Sequence, residues 1–343
     1  MQENESSSSV INNLSEFMLN LDVVEESNLR NIGDSMGDFI TELERRYENK
    51  GEIVGLTTGL DDLDNSIQGM QDGNLIIIAG RPAMGKSVLA MNIASHNALL
   101  GKTSLFFTLE MTEQEVQQRL ISSVARVDYG SIQNALCIDN TDDMPIMGEA
   151  ISQIKKGKFI VDDSSSLSIY DMKSKAISYA RKHKGVDLIV VDYMQLLTGK
   201  GENRTQVISM ISRELKALAK TLKCPVIALS QLNRGLESRA DKRPIMSDLR
   251  ESGQIEQDAD KIIFVYRDEV YNPTTRAKGL GELIIGKARN CPKKDAVCEF
   301  HGNHQSFKNA PHTAYDIIDE IKNPKVEDKS NGAFDRSSYN KRG

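Results

Sequence analysis

Leu75-Ile76-Ile77-Ile78-Ala79-Gly80-Arg81-Pro82-Ala83-Met84-Gly85-Lys86-Ser87 is the stretch whose reading decides the fold. Leu75 to Ala79 is a short apolar run of the kind that forms a parallel strand buried on both faces. Gly80 to Ser87 matches G-x-x-x-x-G-K-S, the phosphate-binding loop, and Val88 to Leu100 has helical length and composition. Strand, glycine-rich turn and helix start together turn a pattern into a site. Gly80, Arg81, Pro82, Ala83, Met84, Gly85, Lys86 and Ser87 then form a cradle. Its N–H groups, with the helix N-terminus, face an anion. Lys86 reaches the β- and γ-phosphates and Ser87 offers its hydroxyl to Mg²⁺. A nucleoside triphosphate with Mg²⁺ is the expected ligand.

From Gly51 onward, short apolar runs alternate with helical segments. Expected strands are Ser104–Leu109, Phe159–Asp162, Asp187–Asp192, Pro225–Gln231, Lys261–Tyr266 and Gly281–Gly286, with Ala296–Phe300 as a closing strand. Expected helices are Thr112–Val124, opened by a Thr112/Glu115 capping box, Ile169–His183 and Thr205–Leu222. Repeated βα units imply an α/β fold, a mostly parallel central sheet flanked by helices. Antiparallel strands are expected at its C-terminal edge. Before it, Leu29, Ile32, Met36, Phe39, Ile40, Leu43 and Tyr47 recur at spacings of three and four, which predicts an amphipathic helix N-capped by Ser27 or Asn28. Its apolar stripe can fold back on its own domain or dock on a neighbour. Residues 1–26 are polar, with Ser6 to Ser9 in a row, and read as a flexible arm. The tail from Lys322 is polar and expected to be disordered. This divides the chain into an arm (1–26), the amphipathic helix (27–50), a motor domain (51–321) and a tail (322–343).

Nucleotide hydrolysis needs an acid for the metal, a water-positioning group, a γ-phosphate contact and positive charge on the transition state. Asp192 ends a buried strand and fits the metal role with Ser87, whereas Asp187 opens that strand at the far edge. Glu110 follows the Ser104–Leu109 strand on the same sheet edge as the phosphate loop, where a carboxylate can take a proton from water; a capping or solvated Glu is the competing reading. Gln231 ends its strand on that edge and can hydrogen-bond the γ-phosphate. The loop after it, Leu232 to Glu256, carries Arg234, Arg239, Lys242, Arg243 and Arg250. Its charge suggests nucleic-acid phosphate contact, against a solvated basic loop. Lys287 and Arg289 close a strand and need not face their own nucleotide; an arginine finger acting in trans is one reading.

The chain has 343 residues, no Trp and a formal net charge of −6. That argues against an aromatic stacking platform for nucleic acid and against a generally basic surface, though not against a local basic groove. Cys137, Cys224, Cys291 and Cys298 form no C-x-x-C pair, which argues against a zinc site or a disulfide framework and for reduced cytoplasmic thiols. No secretion signal and no bilayer-length apolar run is present.

Several stretches are distinctive together: Gly80–Ser87, Leu109-Glu110-Met111, Val191-Asp192-Tyr193-Met194-Gln195-Leu196-Leu197, Leu229-Ser230-Gln231-Leu232-Asn233-Arg234, Ser247-Asp248-Leu249-Arg250-Glu251-Ser252-Gly253, Ile255-Glu256-Gln257-Asp258-Ala259-Asp260, Tyr266-Arg267-Asp268-Glu269 and Gly286-Lys287-Ala288-Arg289-Asn290. With them the chain resembles the C-terminal RecA-like motor of DnaB-type hexameric replicative DNA helicases. The resemblance implies an ATP-dependent helicase that forms a homohexameric ring on single-stranded DNA in the bacterial cytoplasm. It implies catalytic roles for Lys86, Glu110, Asp192, Gln231, Lys287 and Arg289, the last two reaching the neighbour's nucleotide. Arg250, Glu251 and Gly253 correspond to the family's DNA loop, and the 27–50 helix to its linker helix, which packs on the adjacent motor. The family's helical collar has no counterpart; residues 1–26 stand in its place. That puts primase coupling in doubt, points to a phage or mobile-element protein, and leaves residues 1–26 as a docking segment for a helicase loader or initiator. Cys291 stands where the family commonly has Gly. The alternatives are a RecA-class DNA-dependent ATPase that does not unwind, or a mobile-element protein that captures a host helicase loader.

Overall fold

The computed structural model describes residues 31–48, 53–249, 253–289, 291 and 293–323. The described chain runs α1 (Met36–Glu48), α2 (Asp61–Ile67), β1 (Leu75–Gly80), α3 (Lys86–Leu99), β2 (Thr103–Thr108), α4 (Glu113–Ala125), α5 (Tyr129–Gln133), α6 (Asp143–Lys156) and β3 (Lys158–Asp162). It continues through α7 (Ile169–His183), β4 (Leu188–Asp192), α8 (Arg204–Leu222), β5 (Val226–Gln231), α9 (Gly253–Asp258), β6 (Lys261–Tyr266), β7 (Leu280–Ala288), β8 (Ala296–His301), β9 (Ser306–Asn309) and α10 (Thr313–Lys322). The nine strands form one sheet, ordered β3-β2-β4-β5-β1-β6-β7-β8-β9. β3 to β6 are parallel and β7, β8 and β9 run antiparallel.

The central strands are buried on both faces, which is why they read as continuous apolar runs rather than alternating ones. Within β1 the pleat still sorts the side chains. Ile76 and Ile78 pack with α2 and α3 through Leu63, Ile67, Leu89 and Ile93. Leu75, Ile77 and Ala79 pack on the other face with Ile208, Ile211, Leu215 and Leu218 of α8. The Thr112 capping box opens α4 as its spacing predicts.

The structure corrects the sequence reading in three places. Ala296–His301 is not the closing strand, because a one-turn 3₁₀ segment at Gly302–His304 reverses the chain into β9. Four residues are too few for a periodic signal. Helices α2, α5, α6, α9 and α10 lie in stretches without an expected element. The basic loop after Gln231 is the third. Arg239 donates to Asp248 at 2.7 Å, and Arg243 forks onto Glu282, with Nη2 at 2.7 Å from Oε1. These two arginines are spent on internal ion pairs, and Lys242 lies 5.0 Å from the Tyr271 ring centroid.

The predicted helix Leu29–Tyr47 is described from Asn31. A 3₁₀ turn, Ile32–Ser35, capped by the Asn31 side chain, leads into α1. Its apolar residues face outward: Ile32, Met36, Phe39, Ile40, Leu43 and Tyr47 are all exposed in the protomer. Residues 1–30 and 324–343, with the arm, the Ser27/Asn28 caps and most of the tail, lie outside the described residues. No helix among the described residues is long and apolar enough to cross a membrane.

Glu282 is 2% exposed, so removing its guanidinium leaves a buried charge held only by Lys322 at 2.9 Å. Arg243→Ala is expected to destabilise the domain by about 3 kcal/mol in urea unfolding while leaving the salt dependence of DNA binding unchanged.

Candidate active site at the carboxyl edge of the sheet

Parallel register brings the nucleotide residues together. Gly80 pairs with Gln231 across β1 and β5, and Asp192 pairs with Thr108 across β4 and β2. Leu109 N donates to Asp192 O at 2.9 Å, which holds the β2 exit, and Glu110 just beyond it, against the end of β4. Gly80, Asp192, Gln231 and Glu110 thus share one sheet edge.

The loop between Gly80 and Ser87 is shaped by close approach. A Cβ at Gly80 would stand 2.9 Å from Val265 O, and Gly85 has φ +94° with Phe307 against it. Arg267 holds the loop from beneath. Its backbone N–H donates to Met84 Sδ and its Nη1 donates to Ala83 O at 3.0 Å, while its guanidinium lies 3.7 Å from the Phe300 ring centroid. Arg81 holds the other side, donating from Nε to Glu237 at 2.8 Å and from Nη1 to Leu232 O at 3.0 Å. Neither arginine carries a role in the sequence reading beyond cradle membership or motif; their bonds span more than 150 residues, and no local pattern reveals them.

Lys86 donates to Arg81 O at 3.2 Å. Burial lowers its pKa, and the carboxylates of Asp192 and Glu110 oppose that shift. Asp192 is 1% exposed; burial pushes its carboxyl up to about 6, against the hydrogen bond from the Ser87 hydroxyl. Asp192 Oδ2 is buried with no hydrogen-bond partner. An unpaired carboxylate oxygen beside a serine hydroxyl suits Mg²⁺, which keeps several waters and takes only one or two protein ligands beside substrate phosphates. The described residues hold no cluster of three or more His, Cys, Asp or Glu for a metal.

Gln195 is a residue that sequence reasoning missed. Its Nε2 donates to Ser230 Oγ at 2.8 Å and its Oε1 accepts from Gln231 N at 3.3 Å. It ties the exit of β4 to the exit of β5. Its only signal is membership in the Val191–Leu197 stretch. A cavity of about 710 Å³ opens there, lined by Arg81, Gln195, Arg204, Gln231, Asn233 and Arg234 among others. Beyond Gln231, Asn233 N donates to Asp248 O at 2.9 Å and Leu232 bridges Leu249. The chain therefore returns to the end of β5 one residue before Arg250. Arg250 and Glu251 lie outside the described residues; Gly253 opens α9.

Lys287 and Arg289 are not part of this cluster. β7 is antiparallel, and Lys287 pairs with Ile262 near the start of β6. Gly80 is level with Val265, so Lys287 lies three residues, roughly 10 Å, back along the strand. Lys287 Nζ donates to Ala259 O at 2.7 Å, and Arg289 Nη2 donates to Gln257 O at 2.8 Å. Burial and the neighbouring Arg289 lower the Lys287 pKa. Cys291 Sγ, at the turn after them, donates to Ile67 O at 3.1 Å.

A phosphate loop, a strand-end acid and a strand-end amide on this strand order define a RecA-like P-loop ATPase domain. Comparison with known proteins narrows the class. The family model described as DnaB-like helicase C terminal domain matches residues 55–309, and the chain belongs to that family. It is 46% identical over 267 residues to the replicative DNA helicase DnaB of Haemophilus influenzae, covering 77% of this chain and 57% of that protein. It is 47% identical over 271 residues to that of Pasteurella multocida, covering 78% and 58%. The chain thus spans less than two thirds of the length of these relatives. Among solved structures it is similar to an isolated ATPase domain (34% identity, TM-score 0.77, 83% of this chain and 100% of that chain). It is also similar to a DnaB-like replicative helicase described with its interactions with primase (34%, 0.75, 87% and 71%).

The Asp192 carboxyl has its pKa raised above its ordinary 3.8, so folding favours the protonated form. Stability from this group is complete below pH 3.8 and is lost as pH rises through about 6. Without Mg²⁺ at pH 7, Asp192→Asn is therefore expected to raise stability by up to about 3 kcal/mol, and the gain should shrink as pH falls from 6 towards 4. Urea unfolding at a series of pH values reads both.

Proposed function

We propose that the chain is the ATP-driven motor of a hexameric replicative DNA helicase, which translocates on single-stranded DNA and separates duplex at a fork. The observation that carries this reading is the division of the machinery between two sheet edges. Gly80–Ser87, Glu110, Asp192 and Gln231 form one wall of a nucleotide site. Lys287 and Arg289, the cations a phosphoryl-transfer site needs opposite that wall, lie away from it in the same protomer. Two copies in ring contact make a whole site, as family membership suggests.

In this site the loop N–H groups and Lys86 bind the β- and γ-phosphates of ATP. Ser87 and Asp192 would hold Mg²⁺, which would supply positive charge to the phosphates. Glu110 orients water for attack on the γ-phosphorus and takes its proton; the bond to the bridging oxygen breaks, and its electrons leave with ADP. Gln231 donates its amide to the γ-phosphate. Arg289 of the neighbouring copy, assisted by Lys287, stabilises the charge on the equatorial oxygens. Loss of the γ-phosphate relaxes Gln231, and the Leu232/Asn233 bonds to Asp248 and Leu249 carry that to Arg250, Glu251 and Gly253 on the DNA backbone. The exposed stripe of α1 is the linker contact on the adjacent copy. A helicase loader or initiator is the proposed partner of residues 1–26, and the bacterial cytoplasm the proposed setting.

Glu110→Gln is expected to bind ATP normally and to lose turnover by about 10²-fold or more; full turnover would remove Glu110 from the mechanism. On a forked duplex the wild-type chain should separate strands with ATP. DNA-stimulated hydrolysis without separation would instead identify a non-unwinding ATPase. Arg250→Ala should weaken single-strand binding and reduce the log–log salt slope by about 1.

A further inference from the structure

Asp260 lies where three elements meet near the amino end of the parallel strands, and its side chain is buried. Oδ2 accepts from Leu75 N, the first residue of β1, at 2.8 Å and from Lys216 Nζ of α8 at 2.6 Å. Oδ1 faces Arg289 Nη1 at 3.4 Å. Arg289 is further tied by its backbone N–H to Asp260 O at 3.0 Å and by Nη2 to Gln257 O. Lys287 Nζ sits on Ala259 O and Glu256 O. Both cations therefore rest on the carboxyl end of α9, where helix carbonyls without intrahelical partners carry partial negative charge. The guanidinium is anchored through both Nη atoms, while the Arg289 side chain stays 52% exposed and Asp260 is 9% exposed.

An arginine loses side-chain rotamer freedom when it is fixed. A finger that reaches a neighbour is effective only if that loss is taken before the neighbour arrives. A buried carboxylate, itself fixed by a backbone N–H and an ammonium, is a rigid anchor with a charge-assisted bond to offer. We propose that Asp260 is the positioning residue of Arg289, holding the finger in place at the protomer surface for the nucleotide of the adjacent copy. This rests on the reading of Arg289 as a finger acting in trans. The seat is built on α9, which opens at Gly253, so the finger is anchored to the segment that leaves the proposed DNA loop.

The test uses the full chain with single-stranded DNA. Asp260→Asn should lower kcat about tenfold and leave KM for ATP within about twofold, because binding is untouched and only the finger's placement is lost. Lys216→Met removes another partner of the same carboxylate without touching the finger, and should leave kcat within about twofold. An equal loss in Lys216→Met would make Asp260 a fold anchor and overturn the proposal. Coexpression with Lys86→Ala then separates cis from trans. A site that pairs the phosphate loop of an Asp260→Asn copy with the finger of a Lys86→Ala copy is intact, so the mixture should turn over faster than either variant alone. Arg289→Ala mixed with Lys86→Ala should behave alike. Recovery with Arg289→Ala but not with Asp260→Asn overturns the positioning role and leaves the finger standing. Recovery with neither removes the trans reading, and the proposal with it.

Discussion

The direction in which each strand runs is the constraint on which the site depends. β4, β5 and β1 are parallel and adjacent, so their carboxyl ends, Asp192, Gln231 and Gly80, meet at one edge without any long-range side-chain contact having to bring them there. The hydrogen-bond ladder alone does it, and the ladder is secured by strands buried on both faces. Reversing one strand has the opposite effect. β7 turns back against β6, and the cations at its end are carried away from the edge where its neighbours place the phosphate loop. On the proposed reading, one topological choice thus separates the two halves of the chemistry.

Charge is distributed by the same logic. A chain with 49 acids and 43 Lys or Arg residues has few cations to give to phosphate. Many of its arginines are committed inside the protomer: Arg243 to Glu282, Arg239 to Asp248, Arg81 to Glu237, Arg267 to Glu269. Arg81 and Arg267 are tied to the carbonyls of Leu232 and Ala83, so they act on the shape of the phosphate loop. Among the described residues Arg234 makes no ion pair, and it lines the cavity beside Gln231. Counting charges along the 232–256 loop overstates what that loop can offer to nucleic acid, because ion pairs such as Arg243 to Glu282 cross long sequence separations.

That is also the boundary of what the sequence makes legible. The phosphate loop, the strand-end acid and amide, and the capping box at Thr112 depend on contiguous residues and the periods of strand and helix, and each lies where its pattern puts it. The closing strand is misplaced in the sequence reading because β9 is four residues long, too short for a periodic signal, although Gly302-Asn303 marks the reversal before it. Helix α6 follows Asn140-Thr141-Asp142, residues of the usual start types that the sequence reading passed over, and neither α6 nor α10 carries a side-chain cap hydrogen bond. Gln195, Arg267 and Asp260 act through partners far along the chain or through backbone atoms. A carboxylate that anchors an arginine, a lysine and the foot of β1 looks in sequence like one more acid in Gln257-Asp258-Ala259-Asp260.

The outward stripe of α1 acquires its meaning from the divided site. Six large apolar or aromatic side chains exposed along one short segment are costly in water, and such a patch marks an interaction surface. In a protein whose nucleotide site was complete within one copy, the stripe would bear on assembly alone. Here, on the proposed reading, every hydrolytic event needs a second copy to present Arg289. Burial of the stripe against that copy then sets the fraction of sites that are whole. The hydrophobic contact and the chemistry become one equilibrium: a substitution such as a charge at Phe39, far from any phosphate, lowers turnover by lowering the population of paired walls, while ATP binding to the wall that remains is unchanged.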